Sequence, residues 1–96
     1  MDTLYVISNS PFQRSEAYLN FELAEKGDGV LFIQNGVSIL KNPGDIFKNL
    51  KEKNVELYAC KEDLQARAIK ADAQNVNIVD YDAVAELLLK YKRAVQ

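Results

Sequence analysis

The chain has 96 residues, of which 48% are hydrophobic and 27% charged, and its formal net charge is -2. This length is typical of one small domain, so we expect residues 1–96 to form a single domain with one core. The weak net charge would not attract nucleic acid, and no apolar run is long enough to cross a bilayer. Neither direct nucleic-acid binding nor membrane insertion is therefore expected.

The sequence contains a single cysteine, Cys60, and no histidine. A lone cysteine cannot form an internal disulfide, and both the usual zinc ligand sets and an imidazole general base are missing. We therefore expect no metal, no cofactor and no hydrolase triad. The opening stretch MDTLYVISNSPF lacks the basic region and the cleavage site of a secretory signal, which predicts a cytoplasmic protein.

The first half of the chain predicts two strands separated by a helix. TLYVIS (3–8) and GVLFIQ (29–34) are apolar runs that turn-forming residues interrupt, so each is read as a buried strand. Between them, RSEAYLNFELAEKGDG predicts a helix of about three turns, with Ser15 as its N-cap and Gly27 as its stop. The predicted apolar stripe of this helix consists of Ala17, Tyr18, Leu19, Phe21, Leu23 and Ala24.

The middle of the chain predicts two short helices and a third strand. NPGD at 42–45 interrupts the segment 37–54, so a second helix is expected to start from Asp45 as N-cap. VELYAC (55–60) is the third strand. KEDLQARAIKA then predicts a helix whose apolar positions are Leu64, Ala68 and Ala71.

The last part predicts a fourth strand and a final helix. VNIVDY (76–81) is the strand, and Asp82 is expected to cap AVAELLLKYK, whose apolar stripe is Val84, Leu87, Leu88 and Tyr91. The resulting order is βαβαβαβα. Buried strands alternating with amphipathic helices predict an α/β fold of three layers, in which helices cover both faces of a mainly parallel sheet through right-handed crossovers.

Candidate site residues gather at the carboxyl ends of the predicted strands, where ligands bind in open parallel sheets. Ser10 follows the first strand and is read as a binding hydroxyl or as a structural cap. Asn35 and Gly36 follow the second strand, where they could approach an anion or form a turn with a positive φ. Asp63 and Arg67 stand four residues apart, so they form either a solvated ion pair or a contact to a partner.

Cys60 is the most specific candidate, because it ends the third strand just before a helix. Backbone N–H groups and the helix dipole favour thiolate there, and Lys61 would help. Glu62 and Asp63 oppose it, since nearby negative charge disfavours a second anion. Cys60 is therefore read either as a reactive thiol or as a small buried residue at the edge of the core.

Four segments together, LYVISNSPF, GDGVLFIQNGV, LYACKEDLQARAI and VDYDAVAELL, resemble the TusB/DsrH family of small sulfur-relay proteins. The resemblance covers nearly the whole chain and implies a DsrE-like domain with a sheet of four or five strands. It implies assembly with two paralogous DsrE-like subunits into a hetero-oligomer. It also implies handling of persulfide sulfur, either for thiolation of the tRNA wobble uridine or for dissimilatory sulfur metabolism.

The resemblance also bears on Cys60. Some family members carry a cysteine in the first helix, but AYLNFELA has none. The sulfur-carrying sibling subunit has its reactive cysteine at a strand end, before a helix reading roughly C-x-A-x-x-x-R-R-G. Here Cys60 leads CKEDLQARA, with Arg67 in register and Ala68 in place of the glycine.

Two hypotheses follow. In the first, the chain is a sulfurtransferase subunit whose Cys60 carries persulfide between a donor and an acceptor protein. In the second, it is a non-catalytic subunit that holds related subunits or associates with itself, and Cys60 only packs. The five Tyr and four Phe must mostly fill the core, and any that stay exposed would mark an interface.

Overall fold

The computed structural model describes residues 3–9, 21–41, 44–70 and 76–95. Within these ranges, five strands form one sheet: β1 (Thr3–Ile7), β2 (Gly29–Phe32), β3 (Glu56–Cys60), β4 (Asn77–Val79) and β5 (Arg93–Val95). Their order across the sheet is β4-β3-β2-β1-β5, and every neighbouring pair is parallel. The predicted parallel sheet is therefore confirmed.

Helices connect the strands in the described part of the chain. Residues 21–23 are helical, and a 3-10 helix covers Gln34–Lys41. Three α-helices follow, namely α1 (Ile46–Glu52), α2 (Lys61–Ala66) and α3 (Tyr81–Lys90). Among the described residues, no helix has the length and apolar character needed to cross a membrane.

Side chains of the strands alternate between two faces of the sheet, and each face has its own apolar core. On the first face, Phe32 and Leu57 pack with residues of the 3-10 helix, α1 and α2. On the second face, Leu31 and Tyr58 lie beneath α3, which contributes Leu87. The sheet thus has helices on both sides, as the three-layer prediction requires.

The strand order explains which helix lies on which face. From β1 to β4 the chain advances across the sheet in one direction, so right-handed crossovers put the intervening helices on the same face. From β4 the chain returns past three strands to β5, on the far side of β1. That crossover runs in the opposite direction, and α3 therefore lies on the other face.

The end of the chain differs from the sequence prediction. The final helix was expected to run through Tyr91 and Lys92, but α3 ends at Lys90. Arg93–Val95 instead pairs with Thr3–Tyr5 as strand β5. Three residues are too short to show a strand period, and the open edge of β1 supplies the pairing that makes them a strand.

The apolar positions of two helices also need correction. Leu64 is buried as predicted, but α2 ends at Ala66, and Ala68 is exposed at φ 52. Ile69 is buried in its place, because the turn at Ala68 redirects the chain. Leu23 is also exposed, unlike the buried Phe21 and Ala24 of the same predicted stripe. Ser15, Ala17, Tyr18, Leu19 and Ala71 lie outside the described residues.

The helix caps are partly as expected. Asp45 does occupy the N-cap position of α1, but its side chain makes no capping hydrogen bond. The prediction that Asp82 caps the last helix is wrong. Asp80 holds that position, and its carboxylate accepts a hydrogen bond from the backbone N–H of Ala83 at 2.9 Å.

Asp28 is a buried carboxylate that the sequence did not single out. Its two oxygens accept hydrogen bonds from the backbone N–H groups of Thr3 and Glu25, each at 3.0 Å. Asp28 is 3% exposed, so both bonds form away from bulk water. Charge-assisted bonds of this kind are about twice as strong as neutral ones, and these attach the start of β1 to the turn before β2.

Candidate functional site

A crevice is expected where the connections leaving two neighbouring strands turn to opposite faces of the sheet. Here β3 continues into α2 on the first face, whereas its neighbour β4 continues into α3 on the second. Cys60 ends β3, and Asp80 and Tyr81 follow β4. Cys60 on one side and Asp80 and Tyr81 on the other therefore flank this switch point.

Cys60 lies at the switch point but is completely buried. It occupies the N-cap position of α2, and its thiol donates a hydrogen bond to Oε1 of Glu62 over 3.7 Å. Burial raises the pKa of the thiol, and the Asp63 carboxylate raises it further. The backbone N–H groups of Asp63 and Glu62 act in the opposite direction without reversing the shift. The raised pKa favours the protonated thiol in this conformation.

Glu62 links the two sides of the switch point. While Oε1 accepts from the Cys60 thiol, Oε2 accepts a hydrogen bond from the backbone N–H of Tyr81 at 3.3 Å. The Tyr81 ring itself is exposed, and the nearby Asp63 carboxylate raises the pKa of its phenol. Glu62 thus joins the start of α2 to the start of α3 directly beside Cys60.

Four polar residues form a second group near the switch point, which we call the rim cluster: Gln34, Asn35, Asp63 and Arg67. Oδ2 of Asp63 accepts a hydrogen bond from the backbone N–H of Gln34 at 2.7 Å. The Arg67 guanidinium donates to Oδ1 of Asn35 at 2.9 and 3.2 Å and lies 3.7 Å from Oδ1 of Asp63. The expected Asp63–Arg67 pair is thus present, and it also holds the start of the 3-10 helix after β2.

The backbone conformation at the start of this 3-10 helix differs from the prediction. A positive φ was expected at Asn35 or Gly36, but it occurs at Gln34, whose φ is 50. Gly36 is buried for another reason: a Cβ at this position would collide with the carbonyl oxygen of Ile7. A glutamine with left-handed backbone conformation is uncommon and persists only where surrounding contacts hold it. Here the hydrogen bond from its N–H to Asp63 holds it.

The remaining predicted site residues lie apart from these contacts or cannot be described. Lys61 is exposed at the first position of α2. Ser10 lies outside the described residues. Within the described part of the chain, no three His, Cys, Asp or Glu side chains come together in a group that could hold a metal ion.

Sequence reasoning missed two functions of the acidic residues here. Glu62 was considered only as a charge opposing a thiolate, and Asp63 as such a charge and as a partner of Arg67 or of another subunit. Their bonds to Tyr81 and Gln34 cross 19 and 29 residues of sequence, so no local spacing could have indicated them. Their position in the first turn of a helix that follows a strand was the available signal.

Comparisons with known proteins find similarity over most of this chain. The family model described as DsrH like protein matches residues 9–94. The chain is similar to proteins named Protein TusB from three bacteria. The identity is 34% for Buchnera aphidicola subsp. Baizongia pistaciae, over 94% of this chain and 95% of that protein. It is 32% for Photorhabdus laumondii subsp. laumondii, over 92% and 93%, and 31% for Salmonella arizonae, over 72% and 74%.

Proposed function

The chain belongs to the TusB/DsrH family, and we propose that it is a subunit of a cytoplasmic sulfur relay of the TusBCD or DsrEFH kind. The observation that carries the proposal is the match of the DsrH-like family model to residues 9–94. The relatives named Protein TusB, which align over almost their whole length, support it further. In this function the chain assembles with related DsrE-like subunits, which exchange persulfide sulfur with donor and acceptor proteins.

Thiolation of the tRNA wobble uridine is the proposed destination of the sulfur, because the similar curated proteins carry the TusB name. Dissimilatory sulfur metabolism is the other destination known for this family. The net charge of -2 supports a function in which the chain reaches tRNA only through its partners.

For the subunit itself we propose a non-catalytic role, in which it supports the subunits that carry sulfur. Cys60 is completely buried, and its pKa is raised, so little thiolate is present near neutral pH. Thiol exchange needs both a thiolate and access to its sulfur. The bond from the Tyr81 backbone to Glu62 joins the two helix starts that flank this buried sulfur.

A carrier role for Cys60 is the second candidate, and its position at the β3/β4 switch point favours it. For the buried sulfur to reach a donor, the contacts around Cys60 would have to separate, the Glu62–Tyr81 bond among them. The thiolate would then attack the terminal sulfur of a donor persulfide, forming one S–S bond while the donor S–S bond breaks. The donor leaves as a thiolate and takes up a proton. Transfer to an acceptor thiol repeats these steps, with no net oxidation.

A gene deletion with complementation tests the proposed function. We expect the deletion to remove 2-thiouridine from tRNA, as measured by mass spectrometry of nucleosides. The wild-type gene should restore it. Unchanged thiolation together with lost sulfur oxidation would move the chain to the other pathway, and no effect on either would refute a sulfur relay.

The same strain separates the two roles of Cys60. If the subunit is non-catalytic, Cys60→Ala restores thiolation fully, because the buried thiol contributes only packing. If Cys60 carries sulfur, Cys60→Ala restores none, although the variant still co-purifies with its related subunits. Persulfide labelling of the wild-type complex provides an independent readout, since a carrier cysteine acquires the label and a packed one does not.

A further inference from the structure

Helix α2 is held weakly in the fold. It is the shortest of the three α-helices in the described part of the chain, with six residues, and Leu64 is its buried residue. Its N-cap residue, Cys60, makes no side-chain capping hydrogen bond. A helix this short is not stable by itself and depends on tertiary packing. With one buried leucine to supply that packing, α2 has the features of a segment that opens locally.

Two residues beside α2 adopt a left-handed backbone conformation. Ala68, just after the helix, has φ 52, and Gln34, whose N–H is bonded to Asp63 in the first turn, has φ 50. Neither residue is a glycine, so surrounding contacts must hold each of them in this conformation. Opening of α2 would let both residues relax, which favours the open state.

The bonds that join the first turn of α2 to neighbouring segments lie at the surface. Asp63 accepts a hydrogen bond from the backbone of Gln34, and Glu62 accepts one from the backbone of Tyr81, both in solvent-exposed positions. When such bonds break, water replaces the lost partner, so no buried polar group is left unpaired. The first turn can therefore separate from its neighbours without unfolding the rest of the chain.

The same first turn surrounds the sulfur of Cys60. The thiol donates a hydrogen bond to Oε1 of Glu62, and the backbone N–H groups of Glu62 and Asp63 lie close to it. Cys60 itself belongs to β3 and pairs with Val79 of β4 in the sheet. Opening of α2 would thus remove the cover of the sulfur while the strand that carries it stays in place.

From these observations we propose that residues 61–68 open locally in the native protein and expose the Cys60 thiol, while the sheet and the other helices stay folded. The bond from Gln34 to Asp63 sets how often this happens, because at 2.7 Å it is the shortest of the described hydrogen bonds between α2 and its neighbours. The opening goes beyond the proposed function, since it is a property of the single chain. It decides whether this sulfur ever meets another molecule.

Alkylation of the purified chain with iodoacetamide measures the opening, because Cys60 is the single cysteine and every adduct reports the same sulfur. The alkylation rate of the native chain, divided by that of the unfolded chain at the same pH, gives the open fraction. This fraction should exceed the globally unfolded fraction, measured by urea unfolding, about a hundredfold. It should also stay nearly constant at low urea concentrations, because a local opening exposes little surface.

Asp63→Ala should raise the alkylation rate about tenfold, because it removes a hydrogen bond to a charged group from the closed state. The matched control is Asp28→Asn, which weakens two buried backbone contacts at the opposite edge of the sheet. Asp28→Asn lowers global stability but should change the alkylation rate by no more than about twofold, since it does not touch α2. Exposure through global unfolding would instead accelerate both variants alike.

Ala68→Gly tests the opening in the other direction and does not endanger the fold. Glycine adopts φ 52 without strain, so the closed segment becomes more stable and the alkylation rate should fall about threefold. Ala66→Gly makes the same replacement at an exposed position inside α2. It should raise the rate about threefold, because glycine is a poorer helix former than alanine.

Four results would overturn the proposal. Native wild type could be alkylated no faster than its global unfolding allows, or as fast as the unfolded chain, which would mean a sulfur exposed without opening. Asp63→Ala and Asp28→Asn could accelerate alkylation equally, or Ala68→Gly could fail to slow it. The assay uses one purified chain and no sulfur transfer, so such a failure would leave the proposed relay function standing, whereas the gene deletion tests that function alone.

Discussion

Replacing Asp63 with Ala should destabilise the chain by about 2 kcal/mol. The variant removes the acceptor for the backbone N–H of Gln34, a contact of 2.7 Å to a carboxylate that is 13% exposed. A hydrogen bond to a charged group contributes about 1.5–3 kcal/mol, and solvent access places this one in the lower half of that range. The ion pair to Arg67 adds at most about 0.5 kcal/mol, because the Arg67 side chain is 31% exposed.

This loss is measurable as a decrease of about 10 °C in Tm for a domain of this size. Thermal and urea unfolding followed by circular dichroism provide two estimates of the free energy of unfolding. Asp45→Ala is the matched control, because the Asp45 side chain makes no capping hydrogen bond, and it should change stability by less than about 0.5 kcal/mol.

Gln34→Gly tests the strain that the Asp63 bond holds in place. Glycine adopts a positive φ freely, so the free energy of unfolding of this variant should rise by up to about 1 kcal/mol. The double variant Asp63→Ala/Gln34→Gly should recover part of the stability that Asp63→Ala loses. The reasoning would be refuted if Asp63→Ala were as stable as Asp45→Ala, or if Gln34→Gly were clearly less stable than the wild type.

Three further predictions concern other buried or capping groups. Asp28→Ala should cost about 3 kcal/mol in urea unfolding, because two backbone donors lose a buried carboxylate, and Asp28→Asn should cost about half as much. Asp80→Ala should lower the free energy of unfolding by about 1 kcal/mol and Asp82→Ala by less than about 0.5 kcal/mol, since only Asp80 caps α3. Equal losses for the two variants would contradict this assignment. Burial raises the pKa of Cys60 above its ordinary value of about 8.5, so the unfolded chain ionises first as pH rises. The stability that this thiol contributes is therefore complete below about pH 8.5 and is lost above it, and between pH 7 and 10 the wild type should lose more stability than Cys60→Ala.

The comparison of Asp80 with Asp82 illustrates the limit of local signals. Either aspartate precedes the apolar run of the last helix, and the sequence favoured Asp82. The structure begins α3 two residues earlier because β4 ends at Val79, which leaves Asp80 with extended backbone and its carboxylate directed to Ala83. Pairing with β3 decides where β4 ends, and this pairing is a tertiary contact.

The sequence pattern by itself predicted the apolar strands, the intervening helices and a parallel sheet, which together define the fold class. It also predicted that Cys60 lies at the carboxyl end of β3. Apolar runs and helical spacing specify these features because each depends on which side chains must be buried. Tertiary structure alone decided that Arg93–Val95 is a strand, that Asp63 holds Gln34, and that Glu62 joins Cys60 to Tyr81. Those outcomes depend on partners 19 to 90 residues away in the chain, and only the folded arrangement of strands brings such partners within bonding distance.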